Sequence, residues 1–319
     1  NDAVWLEFYG VENSKMKLLF RKELKAGKSK LEEVLEETEL TTEWKDSITA
    51  IPGELYDIKK FKRFWFGNTY RDIWDMPIKA KMLDITKEHG GLIPIKKGGG
   101  QQSNSLRLED PDGKQYVFRS IMKSAYKETP EFLRNTWGQN VVQDMLSASH
   151  PYGAFVIPTL SKAAEIYYTE PQLVYIPKQV GLGIYNESFG DELYLYEDRP
   201  NGDRSDLDGF GNSTDIIGIN DLLPELQKNY DHVVDQVWTV RSRIFDIWVH
   251  DWDRHDDQWR WATFKEDDKT IYRPIPRDRD QVFFTFDGPL PFLASNFVLK
   301  KFRTFKYHLK QPKHQSLSL

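Results

Sequence analysis

The chain has 319 residues, 39% of them hydrophobic and 14% aromatic, which is enough for a buried core in one large or two small domains. Lys and Arg number 44 against 49 Asp and Glu, and the formal charge of −5 disfavours a dedicated nucleic-acid-binding protein. The sequence contains no cysteine, which excludes disulfides and thiolate metal sites, and no run approaches the ~18 apolar residues of a membrane span.

Residues 1–83 are predicted to form an appended N-terminal scaffold region without chemistry of its own. Two strand-like stretches, VWLEFYG and KMKLLF, flank a turn, and an amphipathic pattern predicts a helix over residues 30–39. Because the sequence begins at Asn1 without Met, we expect it to be a processed or excised piece.

Residues 84–200 are predicted to form a β-rich lobe. Two strands, at residues 92–95 and 106–110, are joined by the loop KKGGGQQSNS, which contains Gly98, Gly99, Gly100 and Gln101. Glycines between adjacent strands allow backbone amides to approach a phosphate, although such a loop is also typical of a flexible hairpin.

A third strand is predicted over residues 114–124. Strand alternation puts Val117, Arg119, Ile121 and Lys123 on one face, so two basic residues lie among apolar ones on the side of a cleft. A helix is predicted over residues 136–149 with Trp137 inward, and strands at residues 154–158, 173–177 and 192–200. The last strand is typical of a hinge between two lobes.

Residues 201–319 are predicted to form a helical second lobe. A polar loop at residues 201–214 is interpreted as a mobile connector, and helices follow at residues 219–229 and 232–250. The inward face of the second helix is predicted to contain Val233, Val237, Val240, Ile244, Ile247 and Trp248.

An acidic loop follows this helix and leads into a predicted hairpin. The loop contains Asp251, Asp253, His255, Asp256 and Asp257, of which we assign Asp256 to solvent. One arm of the hairpin begins at Trp259, and the other, at residues 272–275, ends in Asp278 and Asp280. Acids from both arms therefore point toward a common place, as a hard cation bound to phosphate oxygens requires.

Two short motifs in this region resemble those of a known enzyme class. Asp253-Arg254-His255, with Gln258 at the fifth position after Asp253, resembles the DRHxxN loop of atypical kinases: phosphatidylinositol kinases, HipA-type toxin kinases, secretory-pathway Golgi kinases and CotH spore-coat kinases. PIPRDRDQVFF resembles the D-x-D metal element of CotH proteins. From about Phe64 onward the chain also resembles a segment of large bacterial envelope proteins that contain a metallophosphoesterase-like region and a BamA-like outer-membrane barrel.

The resemblance implies a two-lobed α+β protein-kinase-like fold, ATP with Mg or Mn as cofactors, and a protein or small molecule as phosphoryl acceptor. It implies a cell-envelope location, with a tether to a barrel in the full protein. The implied residues are Asp253, Arg254 and His255 for catalysis; Gln258, Asp278 and Asp280 for metal; and Gly98, Gly99, Gly100, Gln101, Arg119 and Lys123 for the nucleotide. Asp144 or Gln143 is expected to reach Arg119, as the helix acid of kinases reaches their lysine.

Two alternatives remain open. Arg119 replaces the kinase lysine and Gln258 replaces the asparagine, which favours a degenerate nucleotide-binding or interaction module. A metal-dependent hydrolase that uses the acids with His250 and His255 is the other alternative, although a loop histidine more often orients a neighbouring acid.

Overall fold

The computed structural model describes residues 43–53, 56, 58–98, 104–124, 129, 131, 134–297 and 304–305, together with the backbone of four strands between residues 4 and 38. The described residues form three β-sheets and eight α-helices. The α+β class predicted from the sequence is therefore confirmed. None of the helices in these ranges is long and apolar enough to cross a bilayer.

The first sheet contains four strands in the order β1-β2-β3, with β4 paired to β2. Its strands are β1 (Val4–Glu12), β2 (Lys15–Lys25), β3 (Lys28–Glu32) and β4 (Glu37–Thr38). The helix predicted over residues 30–39 is wrong, because β3 and β4 both pair with the long strand β2, which satisfies their backbone groups. Residues 33–36 lie outside the described part.

The central sheet contains seven strands in the order β5-β6-β10-β11-β9-β8-β7. They are β5 (Ser47–Ala50), β6 (Ile78–Met82), β7 (Ile93–Gly98), β8 (Ser105–Glu109), β9 (Gln115–Ser120), β10 (Gln172–Ile176) and β11 (Glu192–Asp198). Strands β5 and β6 come from the region predicted to be appended, so residues 43–83 contribute to the same sheet as the predicted β-rich lobe.

Both faces of the central sheet contribute to apolar clusters, but only one of them also carries a group of charged side chains along β8, β9 and β11. One face contributes apolar and aromatic residues to the main core, namely Leu106, Leu108, Tyr116, Phe118, Tyr194 and Tyr196. On the other face Val117 lies opposite both Arg107 and Glu197 in the strand register, and Arg119 follows two residues later. This second face therefore presents charged side chains to the site described below.

Five of the described helices precede β11 in the chain: α1 (Lys60–Phe66), α2 (Arg71–Trp74), α3 (Trp137–Met145), α4 (Ile157–Ala163) and α5 (Asn186–Phe189). Helix α3 begins as predicted, at Thr136, whose side chain accepts a hydrogen bond from the Gly138 N–H. Trp137 is 65% exposed rather than inward. The strand predicted at residues 154–158 is wrong, because Pro158 lies in the first turn of α4, where proline is favourable.

The third sheet has the order β12-β14-β15-β13 and includes the predicted hairpin, which is confirmed. Its strands are β12 (Ile216–Gly218), β13 (His232–Val234), β14 (Trp259–Glu266) and β15 (Lys269–Pro276). Helices α6 (Ile219–Lys228) and α7 (Gln236–Trp248) pack beside this sheet, whereas α8 (Pro289–Phe297) packs against α1 and α3.

Helix α7 differs from its prediction in its start and in its buried face. It begins after Asp235, whose carboxylate caps it by accepting from the Trp238 N–H, because the preceding residues form β13 beside β15. The predicted inward residues Val237, Val240, Ile244 and Trp248 are instead exposed.

The loop at residues 201–214 is anchored rather than a mobile connector. Its backbone pairs at Gly202 with Ile216, and the buried Arg204 guanidinium contacts Asp198. A buried arginine that is paired in this way fixes the loop to the end of β11.

Candidate functional site

Arg119 connects the central sheet to the segment that follows the hairpin. Its Nε donates to Glu197 Oε1 at 2.8 Å, and its Nη1 donates to Asp278 Oδ2 at 2.9 Å. Burial disfavours the charged guanidinium, but Asp278 and Glu197 outweigh that effect and raise the pKa of Arg119. Arg119 is therefore held between Glu197 on the neighbouring strand β11 and Asp278 in the segment that follows β15.

Lys123 makes a parallel contact further along the same chain segment. Its Nζ lies 3.0 Å from Asp280 Oδ2 and donates to the Asp280 backbone oxygen at 2.9 Å. The structure thus brings both sequence-predicted phosphate cations to the two sequence-predicted metal acids. Each cation contacts a different acid.

Asp278 and Asp280 differ in their electrostatic state. Burial would raise the pKa of Asp278, but Arg119, Arg277 and Lys123 lower it below its ordinary value. Burial raises the pKa of Asp280 to about 6 in spite of Lys123, and repulsion from Asp278 adds to the increase. Asp278 is therefore the more readily ionised of the two acids.

Asp278 also has an unusual backbone and an unsatisfied oxygen. Its φ is +64°, a left-handed conformation that costs free energy for a residue with a Cβ. Its Oδ1 is buried without a hydrogen-bond partner in the described structure, while Oδ2 accepts from Arg119. A buried carboxylate oxygen that lacks a partner is a position at which a ligand or ion would be stabilised.

The loop after α7 contains the predicted catalytic residues in three different environments. Asp253 is half-buried in a turn, His255 is exposed, and Arg254 is fully buried. Arg254 donates to Asp246 and Asp251 and to the backbone oxygens of Gln258 and Arg277. Because its guanidinium is consumed by these contacts, Arg254 positions the loop against the segment that leads to Asp278.

Gln258 and Asp144 have partners that differ from their predicted roles. Gln258 is buried and its Oε1 accepts from Arg254 Nη1 at 3.3 Å. Asp144, on α3, forms a buried ion pair with Arg71 rather than with Arg119. The expected Asp144–Arg119 contact is thus replaced by Glu197, while Gln143 donates to the backbone oxygen of Lys123 at 3.0 Å.

A buried ion-pair network supports the loop from behind. Asp246 is 0% exposed and contacts Arg243, Arg254 and Arg279, while Asp251 contacts Arg254 and Arg279. Burial would raise the pKa of the Asp246 carboxyl, but Arg254, Arg279 and Arg243 lower it below its ordinary value. Asp246 and Arg279 were not identified from the sequence. Arg279 lies between Asp278 and Asp280 in the chain, so alternation in an extended segment points its side chain away from theirs, and this signal could have identified it.

Of the four residues of the glycine loop that were predicted to bind phosphate, only Gly98 is described. Gly98 ends β7 opposite Ser105, and a Cβ at Gly98 would lie 2.7 Å from Ser105 Oγ. Gly99, Gly100 and Gln101 lie outside the described residues, so their predicted phosphate contacts stay predictions.

Among the described residues, the predicted site contains no complete metal cage, and a large cavity lies elsewhere. In those residues no group of three or more His, Asp or Glu side chains converges as a metal cage. A separate cavity of about 800 Å³ is lined by α6 and by β13 to β15, including Glu225, His232 and Tyr272, and contains none of the predicted site residues.

Comparison of the chain with protein-family profiles, with curated proteins and with solved structures found no match.

Proposed function

We propose that this chain is an atypical kinase-like phosphotransferase, which moves a phosphoryl group from ATP, with Mg or Mn, to a hydroxyl of a protein or small-molecule acceptor. The observation that carries the proposal is the 2.9 Å contact between Arg119 on β9 and Asp278 after β15. In kinases a strand cation and a metal-binding acid after the catalytic loop must both be in place.

The strand order gives independent support for a two-lobed kinase-like fold. Strands β7, β8 and β9 lie side by side in chain order, β11 and then β10 follow in the sheet, and α3 precedes β10 in the chain. Arg119 is therefore on the third strand of this run, where kinases have their phosphate-binding lysine. The catalytic-type loop, the β14–β15 hairpin and the Asp278 segment come later, in the order that a kinase requires.

The chemistry assigned to the loop depends on its rigid attachment. Arg254 links Gln258 to the Arg277 backbone oxygen, so the loop that carries Asp253 and the segment that carries Asp278 are held as one unit. In the proposal Asp253 orients the acceptor hydroxyl and accepts its proton. Such a proton transfer needs a fixed carboxylate rather than a mobile one.

The residues fit a metal ion that arrives together with phosphate. Asp278 Oδ1 is a carboxylate oxygen without a partner in the described structure, whereas Asp280 and Gln258 are engaged by Lys123 and Arg254. Mg²⁺ typically keeps several waters and binds through one or two carboxylates plus substrate phosphates. When bound, the ion would neutralise charge on the transferring phosphoryl group.

The test is a comparison of Asp253→Asn, Asp278→Ala and Asp280→Ala in the full chain. We expect the first to abolish phosphoryl transfer from radiolabelled ATP without loss of stability, because a half-buried loop acid contributes little to packing. We expect Asp278→Ala to eliminate Mg-dependent ATP binding. Asp280→Ala should leave binding that is ~10 to 100-fold weaker and restored by more Mg or Mn.

Asp267→Asn is the matched control, because Asp267 is an exposed acid in the β14–β15 turn. Unchanged transfer in Asp253→Asn, or equal metal titrations of the Asp278 and Asp280 variants and the wild type, would refute the assignment.

A degenerate nucleotide-binding module is the second candidate. It is favoured by the partners of Arg119, since its guanidinium contacts both Glu197 and Asp278 and has less capacity left for a phosphate. ATP binding without transfer to any acceptor, in the same assays, would select this candidate.

A further inference from the structure

Four arginines lie near Arg119 without carboxylate partners in the described structure. They are Arg107 on β8, Arg199 after β11, Arg260 on β14 and Arg277 after β15. Three of them donate to neutral oxygens: Arg199 to the Gln115 side chain, Arg260 to the Trp259 backbone and Arg277 to the Asp257 backbone. Within the described ranges none of the four has an ion pair.

Strand register explains why these residues converge. Arg107 lies opposite Val117, which lies opposite Glu197, so Arg107, Arg119 and Arg199 project from one face of the central sheet. Arg260 lies opposite Ile275 and Gly218 in the third sheet, and the Arg277 N–H donates to the Gln258 oxygen at the end of the same hairpin. The contact between Arg119 and Asp278 joins the two parts of the chain here, so cations from both sheets lie close enough to repel one another.

Two of these cations are buried, which costs free energy for a charged side chain. Arg199 is only 6% exposed and Arg260 only 8% exposed, and Arg199 Nε is buried without a hydrogen-bond partner. Burial lowers the pKa of Arg199 to about 10, and repulsion from Arg107, Arg260 and Arg119 adds to this decrease. Asp257 stabilises the charges of Arg199 and Arg260, and Asp278 that of Arg277, without an ion pair, while the arginines repel one another, so a bound anion would stabilise the group further.

We infer that Arg107, Arg199, Arg260 and Arg277 form an oligophosphate-binding site, which recognises the phosphate chain of the donor and not its base. The inference deepens the proposed function and rests on it for the role of the ligand as donor. A planar guanidinium group can bind two phosphate oxygens at once. The adjacent Asp278 Oδ1 is positioned to bind a cation that is itself bound to the phosphate.

The same residues argue against recognition of a nucleobase by the face of the central sheet beside Arg119. Small-molecule sites that hold an aromatic ring are lined mainly by apolar side chains. Here the sheet face around Val117 carries Arg107, Glu197 and Arg199, and the apolar residues further along it, Ile121, Leu193 and Leu195, are already packed in a core cluster. Different nucleoside triphosphates, and inorganic tripolyphosphate, are therefore expected to bind with similar affinity.

The experiment is isothermal titration of the full chain with sodium tripolyphosphate, ATP, GTP and adenosine. We expect the three phosphates to bind and adenosine not to bind or compete. Arg199→Gln and Arg260→Gln should each weaken tripolyphosphate binding at least about tenfold, equivalent to about 1.4 kcal/mol. Arg241→Gln is the matched control, because Arg241 is an exposed arginine paired with Glu165, and its affinity should equal that of the wild type.

A melting experiment separates lost binding from lost folding. Because each variant removes a buried cation that has no acid partner, the ligand-free melting temperature should stay the same or rise. The inference is overturned if tripolyphosphate does not bind the wild type, binds both variants as tightly, or is displaced by adenosine. A lower ligand-free melting temperature in both variants also overturns it, since the arginines would then be structural.

The two proposals fail separately. Tripolyphosphate binding that depends on Arg199 and Arg260, without phosphoryl transfer from any triphosphate, would refute the phosphotransferase and leave the oligophosphate site. If both variants transfer phosphate from ATP and bind tripolyphosphate as well as the wild type does, the oligophosphate site is refuted and the phosphotransferase remains.

Discussion

Replacing Asp246 with alanine would remove the acid at the centre of the network behind the catalytic-type loop. Its Oδ2 lies 2.9 Å from Arg243 Nη1 and 3.2 Å from Arg254 Nε, and Oδ1 contacts Arg279. Exposed ion pairs contribute about 0–1 kcal/mol, but removal of one partner of a buried pair costs about 3–5 kcal/mol. Since domains unfold with about 5–15 kcal/mol, Asp246→Ala should remove roughly a fifth or more of the stability.

The assay is urea unfolding followed by tryptophan fluorescence, with an unchanged m-value as the sign that only stability has changed. Asp246→Asn keeps one oxygen acceptor and should lose less, about 1–3 kcal/mol. Asp267→Asn, in the exposed turn of the hairpin, should stay within about 0.5 kcal/mol of the wild type. A loss below about 1 kcal/mol in Asp246→Ala would show that the network does not hold the loop.

Two further predictions concern packing and pH. Gly288→Ala should lower the free energy of unfolding by about 1–3 kcal/mol in the same urea assay, because the alanine methyl group would overlap the backbone of Phe66 and Gly67. A urea midpoint equal to that of the wild type would refute that close approach. Burial lowers the pKa of His150 below its ordinary 6.5, and its Nδ1 accepts from the Tyr152 N–H at 3.0 Å. The unfolded state therefore takes up the proton first, so stability should fall as the pH drops below about 6.5, and His150→Gln should flatten this slope in melting curves from pH 7 to 5.

Local sequence patterns predicted strands because side-chain alternation depends only on residues that are neighbours in the sequence. Alternation along the predicted strand at residues 114–124 placed Arg119 and Lys123 on one face; β9 ends at Ser120, before Lys123, and the two cations contact Asp278 and Asp280. The same reasoning failed for residues 154–158, where β-branched and aromatic residues favour a strand but Pro158 starts a helix.

The partners of the site residues could not be predicted, because they depend on long-range packing. Asp144 pairs with Arg71, which is 73 residues away, and the region containing Arg71 was predicted to be an appended scaffold. The expected contact between Asp144 and Arg119 came from the kinase resemblance, which gave no reason to consider a cation in that region. Glu197 was overlooked as a partner because the register of β9 against β11 is not visible in either strand alone.

The contact between Asn68 and Asp287 has a consequence for folding during synthesis. The Asn68 N–H donates to Asp287 Oδ1 at 2.8 Å across 219 residues of sequence. A ribosome that adds about 5–20 residues per second needs roughly 10–45 s to make that intervening chain. Throughout this interval the Asn68 N–H, between α1 and α2, lacks this partner, so the first and last parts of the described chain can be joined here only late in synthesis.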